Sequence, residues 1–113
     1  MTVDYQRLVA TTSNASVLVE NSSIVGVIVT VAAPDHLMIE NVAVARTAQG
    51  RGHGRTLLEH AERQARALGL VQVRLYTNAA MTENLAMYPR IGYVEVARRS
   101  EDGFERVYFA KDL

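Results

Sequence analysis

No cysteine occurs among the 113 residues. That excludes disulfide staples, thiolate metal sites and a cysteine nucleophile, so any group transfer is expected to be direct. Net charge is missing too, because 12 Lys and Arg balance 12 Asp and Glu. A protein that grips nucleic acid through its phosphates carries a basic excess, so no nucleic-acid partner is expected. Long apolar runs are absent. The longest, Ile24 to Ala33, includes Gly26 and Thr30 and falls far short of the roughly 18 residues of a membrane span. The start, Met1-Thr2-Val3-Asp4, has no basic stretch leading into an apolar one. No secretory signal or membrane partner is therefore expected, and the expected location is cytoplasmic.

What is present suits one domain over residues 1–113, with 49% hydrophobic residues to fill one core. Val3 to Ala10 and Val17 to Glu20 read as strands. Ile24 to Val31 is β-branched and almost continuously apolar, as in a strand covered on both faces. Leu37 to Val44 is a further strand with Glu40 and Asn41 in its middle. The period then changes. Leu57, Leu58, Ala61, Ala65 and Leu68 make one helical stripe within residues 52–68, and Glu59, Glu62, Arg63 and Arg66 lie outside it and should be solvated. Gly69 suits a left-handed cap after the helix. Val71 to Tyr76 alternates as a strand. A short helix around Glu83 to Tyr88 should kink or stop at Pro89. Tyr93 to Arg99 and Phe104 to Ala110 flank Asp102-Gly103, a hairpin signal. From Val17 onward the order is βββ-α-β-α-ββ. It predicts an α/β (α+β) chain: a mixed, largely antiparallel sheet with flanking helices, its helix-linked strands parallel and its hairpins antiparallel.

The chemistry concentrates in Gln49-Gly50-Arg51-Gly52-His53-Gly54, between a strand and an amphipathic helix. Glycines permit positive φ and let a ligand reach the bare backbone. The first amides of a helix have no internal partner, and its N-terminus carries partial positive charge. Together they make a phosphate site, flanked by Arg46, Arg51 and Arg55 with no carboxylate between Arg46 and Arg55. A Walker loop is excluded, because no Gly-x-x-x-x-Gly-Lys-Ser/Thr occurs. The dinucleotide fingerprint fails as well, since its third glycine falls on Arg55. No His, Asp or Glu cluster has metal-ligand spacing, so no metal is expected.

Val42-Ala43-Val44 followed by Gln49-Gly50-Arg51-Gly52-His53-Gly54 resembles the Gln/Arg-x-x-Gly-x-Gly/Ala motif of the GCN5-related N-acetyltransferases, the GNAT superfamily. Downstream, Asn84, Tyr88 and Ile91-Gly92-Tyr93 resemble its Asn-x-x-x-Tyr-x-x-x-Gly-Phe pattern, with Tyr93 in place of Phe. The resemblance covers roughly Val17 to Ala110. It implies a GNAT-like fold and acetyl-CoA as donor cosubstrate. Backbone amides from Gln49 to Gly54 would hold the CoA pyrophosphate beside Arg51 and Arg55. The strand edge at Val42 and Val44 would pair with the pantetheine arm, and the Val42 amide would polarise the thioester carbonyl. Asn84 would hydrogen-bond the CoA arm, and Tyr88 would protonate the departing thiolate. Glu40 is the candidate base for the amine, in a Glu40-Asn41-Val42 run similar to the Glu-Asp-Val of glucosamine-phosphate acetyltransferases; His36 or a water chain is the alternative.

The family resemblance also implies a strand and two helices ahead of the strand at Val17, where only about sixteen residues stand. Three readings follow: a minimal domain with an open acceptor cleft, a homodimer completing the site in trans, or a missing N-terminal segment. The expected function is an N-acetyltransferase acting on a primary amine of a small molecule or a protein or peptide. The alternative is a non-catalytic acyl-CoA-binding module of the same fold.

Overall fold

The computed structural model describes residues 6–11 and 14–113. Strands β1 (Gln6–Ala10), β2 (Ala15–Glu20), β3 (Ser23–Ala32) and β4 (Leu37–Val44) lead through a 3₁₀ turn (Arg46–Ala48) to helix α1 (His53–Ala67). Strand β5 (Gln72–Asn78), helix α2 (Thr82–Arg90) and the hairpin of β6 (Val94–Glu101) and β7 (Phe104–Asp112) follow. The expected strand from Val3 is borne out from Gln6; Val3 to Tyr5 lie outside the described residues.

The strands form one seven-stranded sheet in the order β1-β2-β3-β4-β5-β7-β6. Only β4 and β5 pair in parallel; the other neighbours are antiparallel. The helix-linked strands β5 and β6 run the same way, as expected, but β7 lies between them. The hairpin explains the insertion. Glu101 pairs with Phe104 across Asp102 (φ 52°) and Gly103 (φ 81°), and two such positive-φ residues make the tight turn whose twist matches the strands.

Both helices lie on one face of the sheet. Leu57, Leu58, Ala61 and Ala65 are completely buried, because a four-residue recurrence puts them in one stripe. α1 approaches closely where β3 has Gly26: a Cβ there would sit 2.9 Å from Leu57 Cδ1 and 3.3 Å from the Ala43 carbonyl. Thr30, on the same face, donates to Gln64 Oε1 at 3.0 Å. That face continues through the pairs Thr30–Ile39, Ile39–Leu75 and Leu75–Phe109 to α2, where the Tyr88 ring stands 5.4 Å from Phe109. The opposite face carries no helix among the described residues. There Val17, Val27 and Val29 are half-buried and Val31 is exposed. The expectation that residues 24–31 are covered on both faces is therefore corrected: β-branched apolar residues report strand geometry, not how many layers cover it.

Glu62 overturns a second expectation. It falls outside the apolar stripe, yet it is only 6% exposed. Lys111 Nζ reaches its Oε1 at 2.9 Å and the Tyr93 hydroxyl donates to its Oε2 at 3.1 Å. A carboxylate tolerates burial when paired and hydrogen-bonded, and this one ties α1 to both ends of the β6–β7 region. It also holds the Tyr93 phenol far above its ordinary value, after burial as the larger cause. At the end of α1, Gly69 has φ 75° and Leu70 N–H bonds the Ala65 carbonyl, the expected left-handed cap. Pro89 lies within α2, which stops one residue later at Arg90.

Two substitutions test this packing. Gly26→Val should lower stability by about 1–3 kcal/mol, because α1 must move off β3. Tyr93→Phe should cost about 1–3 kcal/mol by removing a donor from buried Glu62. Urea unfolding followed by circular dichroism reads both.

Candidate active site

The site begins where β4 leaves β5. Their ladder has three pairs and ends at Ile39–Leu75. On the other side of β4, the register with β3 jumps from Thr30–Ile39 to Val29–Asn41, so Glu40 is an extra, bulged residue. A bulge sharpens local twist and bends its strand. Here it swings the end of β4 away from β5, and among the described residues no strand pairs with that edge beyond Ile39.

The gap is a cleft of about 630 Å³. One wall is Val42 to Val44 of β4, and the opposite wall is formed by Ala80 to Asn84, Met87 and Tyr88. Gln49, Gly50, Gly52, His53, Gly54 and Arg55 complete its lining. The N-termini of α1 and α2 both reach it, and each brings unpaired N–H groups and partial positive charge.

The turn is shaped by its glycines. Gly50 has φ 82° and Gly52, the residue capping α1, has φ 81°, a region costly for any side chain. The Gln49 side chain donates to the Val44 carbonyl at 3.2 Å, fastening the turn to the end of β4. Arg55 lines the mouth of the cleft and pairs with Glu59 at 3.1 Å. Arg51 does not line the cleft; its guanidinium lies 2.8 Å from Glu20 Oε1.

Asn84 and Tyr88 are one helical turn apart, so both look into the cleft from α2. Asn84 Nδ2 donates to Thr77 Oγ1 at 3.3 Å, a bond that fixes its carboxamide against β5. Tyr88 is only 3% exposed, with its ring 6.0 Å from that of Tyr93. Its hydroxyl makes no hydrogen bond to another described residue. Burial pushes its pKa upward, so it stays a proton donor at neutral pH. Val42, Val44, Gln49, Gly50, Gly52, His53, Gly54, Arg55, Asn84 and Tyr88 thus come together around one cleft. Glu40 does not line it; it stands exposed on the bulge next to Ile39, the last residue of β4 paired with β5. His36 is held at the β3–β4 turn by Asp35, 2.7 Å away.

Sequence reasoning missed Glu20 and Thr77. Glu20 is 6% exposed, and His53, for whose side chain no role was expected, is 2% exposed. Gln6 Nε2 donates to Glu20 Oε2 at 2.9 Å and stands 3.4 Å from His53 Nδ1. His53 Nε2 lies 3.3 Å from Glu20 Oε2 without the alignment of a hydrogen bond. The signal was available: Glu20 is in phase with buried Ser16 and Leu18 on β2, so strand alternation points it inward. The Gln6 hydrogen bond, and then the charges of Arg51 and His53, hold its carboxyl below the ordinary value against the opposing effect of burial.

Among known proteins, residues 2–93 match the profile of the acetyltransferase (GNAT) family. N-alpha-acetyltransferase 80 of Mus musculus is 42% identical over 60 residues, which are 53% of this chain and 18% of that protein. The match thus spans less than a fifth of the relative's length. The IAA acetyltransferase from Bacillus cereus ATCC 14579 has a similar structure, with a TM-score of 0.79 and 26% identity over 88% of this chain and 77% of that one. A GNAT family acetyltransferase from Elizabethkingia anophelis, solved with acetyl-CoA bound, reaches a TM-score of 0.81 at 21% identity, over 88% of this chain and 75% of that one.

The pH dependence of stability tests the Glu20 contacts. A carboxyl with a depressed folded-state pKa contributes stability above its unfolded value and loses it as pH falls through the folded one. Glu20→Gln should therefore unfold at a lower temperature than the wild type at neutral pH. The gap should close on the acid side of the ordinary glutamate range, as thermal scans across pH would show.

Proposed function

The chain belongs to the acetyltransferase (GNAT) family, and on that premise we propose that it transfers the acetyl group of acetyl-CoA to a primary amine by direct attack in a ternary complex. The observation that carries this reading is Tyr88, a buried tyrosine that lines a cleft between an unpaired strand edge and a glycine-rich helix N-terminus.

Each part of the cleft then has a task. The backbone amides of Gln49 to Gly54 receive the diphosphate, helped by the α1 dipole and by Arg55. The dipole contributes only about 0.3–2 kcal/mol, so charge-assisted bonds of about 1.5–3 kcal/mol each must supply most of a micromolar affinity. The free edge of β4 at Val42 and Val44 pairs with the amides of the pantetheine arm as an added strand would, and Asn84 holds that arm from the other wall. The Val42 amide faces the thioester oxygen and stabilises the negative charge that grows there as the amine attacks. When the carbon–sulfur bond breaks, Tyr88 gives its proton to the leaving thiolate. An ordinary phenol and thiol lie about 1.5 apart in pKa; burial raises Tyr88 further, which keeps its proton in place until the thiolate forms and makes the transfer uphill by more than that gap. The amine's own proton passes to Glu40, directly or through water, since Glu40 stands exposed where β4 parts from β5. The acceptor is the amine of a peptide or small molecule. The similarity to an N-alpha-acetyltransferase favours a peptide.

Thermal unfolding with acetyl-CoA, against ATP as control, tests the donor. At a ligand excess of about 100-fold over Kd the stabilisation is about 2.7 kcal/mol, on the order of 10 °C for a domain of this size. No rise with acetyl-CoA overturns the reading. Tyr88→Phe should cut kcat by about 10²-fold or more while leaving the Kd for CoA unchanged. A module that only binds acyl-CoA has no turnover to lose.

A further inference from the structure

Gly50, Gly52 and Gly54 all line the cleft. The two residues between them, Arg51 and His53, send their side chains to one carboxylate on a strand distant in sequence. Arg51 reaches Glu20 Oε1 at 2.8 Å and His53 Nε2 approaches Oε2 at 3.3 Å, while Gln6 Nε2 donates to Oε2 at 2.9 Å. Glu20 is 6% exposed and His53 2%, whereas Arg51 is 49% exposed. The glycines and the anchored residues therefore alternate along the turn.

We propose that Glu20 is a positioning residue for the diphosphate of CoA: it holds Arg51 and His53 on the β2 side of the turn and so presets the backbone N–H groups that Gly50, Gly52 and Gly54 present to the cleft. This rests on the CoA reading above. Glycine has more backbone freedom to lose than any other residue, and a turn that must order itself around its ligand loses affinity to that ordering. Arg51 paired to Glu20 and His53 buried against the same carboxylate, on either side of Gly52, remove that freedom beforehand. The carboxylate is itself a charge of the wrong sign beside an anion site. Its pairing with Arg51 cancels that charge, and in exchange Arg51 serves through its backbone and not its guanidinium.

Positioning and plain electrostatics predict opposite signs. If Glu20 positions the turn, removing it weakens CoA binding; if it only repels phosphate, removing it frees Arg51 and tightens binding. Isothermal titration of the intact chain with CoA decides between them, at a temperature where every variant is folded by circular dichroism. Glu20→Ala should weaken CoA by about tenfold or more, and Glu20→Gln, which keeps the size and an acceptor oxygen, should recover part of that loss. The variant with both Glu20→Ala and Arg51→Ala should match Glu20→Ala within about twofold, because both residues act through one contact. With an accepted amine, the KM for acetyl-CoA should rise by the same factor at constant kcat. The rate with S-acetylpantetheine, which has no diphosphate, should not change. Unchanged or tighter CoA binding in Glu20→Ala overturns the proposal, and so does an equal loss with both donors, which marks general damage. A wild-type chain that does not bind CoA overturns the acetyltransferase reading itself, before any variant is made.

Discussion

Between Ile39 and Val44, strand β4 has no strand partner among the described residues on the side of β5, and the rest of the site follows from that separation. A backbone edge inside a sheet leaves N–H and C=O groups that need partners, so an opening there invites an extended ligand. The bulge at Glu40 produces the opening. The short parallel ladder from Leu37 to Ile39 keeps the two strands joined at the other end. The result is a wedge whose depth is set by the last pair, Ile39 and Leu75. Both are buried in the core, so the apex of the wedge is rigid while its mouth is open.

The two helices complete the cleft because both are packed on the same face. α1 is pressed onto β3 at Gly26 and tied by the Thr30–Gln64 hydrogen bond, which carries its N-terminus to the mouth of the wedge. α2 is held through the rings of Tyr88, Tyr93 and Phe109. Buried Glu62 joins the two halves, since it sits on α1 and takes its hydrogen bonds from Tyr93 and Lys111. The positioning of the glycine-rich turn and of Tyr88 is thus one packing problem, not two.

Much of this was legible residue by residue. The elements from Val17 onward were found in order, and the family fold was recognisable from two motifs on the elements that display them. Gln49 to Gly54, Asn84 and Tyr88 were singled out, and all but Arg51 meet at the cleft. Glu62 was misjudged because helical periodicity ranks positions by apolar neighbours and takes no account of a cation arriving from β7. Residues 24–31 were misjudged because a β-branched run looks the same whether one face or both are covered.

Local periodicity, glycine spacing and motif order were enough to specify strand, helix and turn, and to single out most of the residues that line the cleft, because those properties depend on neighbours within one or two turns of the chain. Only the tertiary structure placed β7 between β5 and β6, put both helices on one face, opened β4 from β5, and brought Glu20 to Arg51 and His53. These are pairings between residues far apart in sequence. They depend on strand register and packing across the sheet, and no local pattern encodes which distant carboxylate will meet which cation.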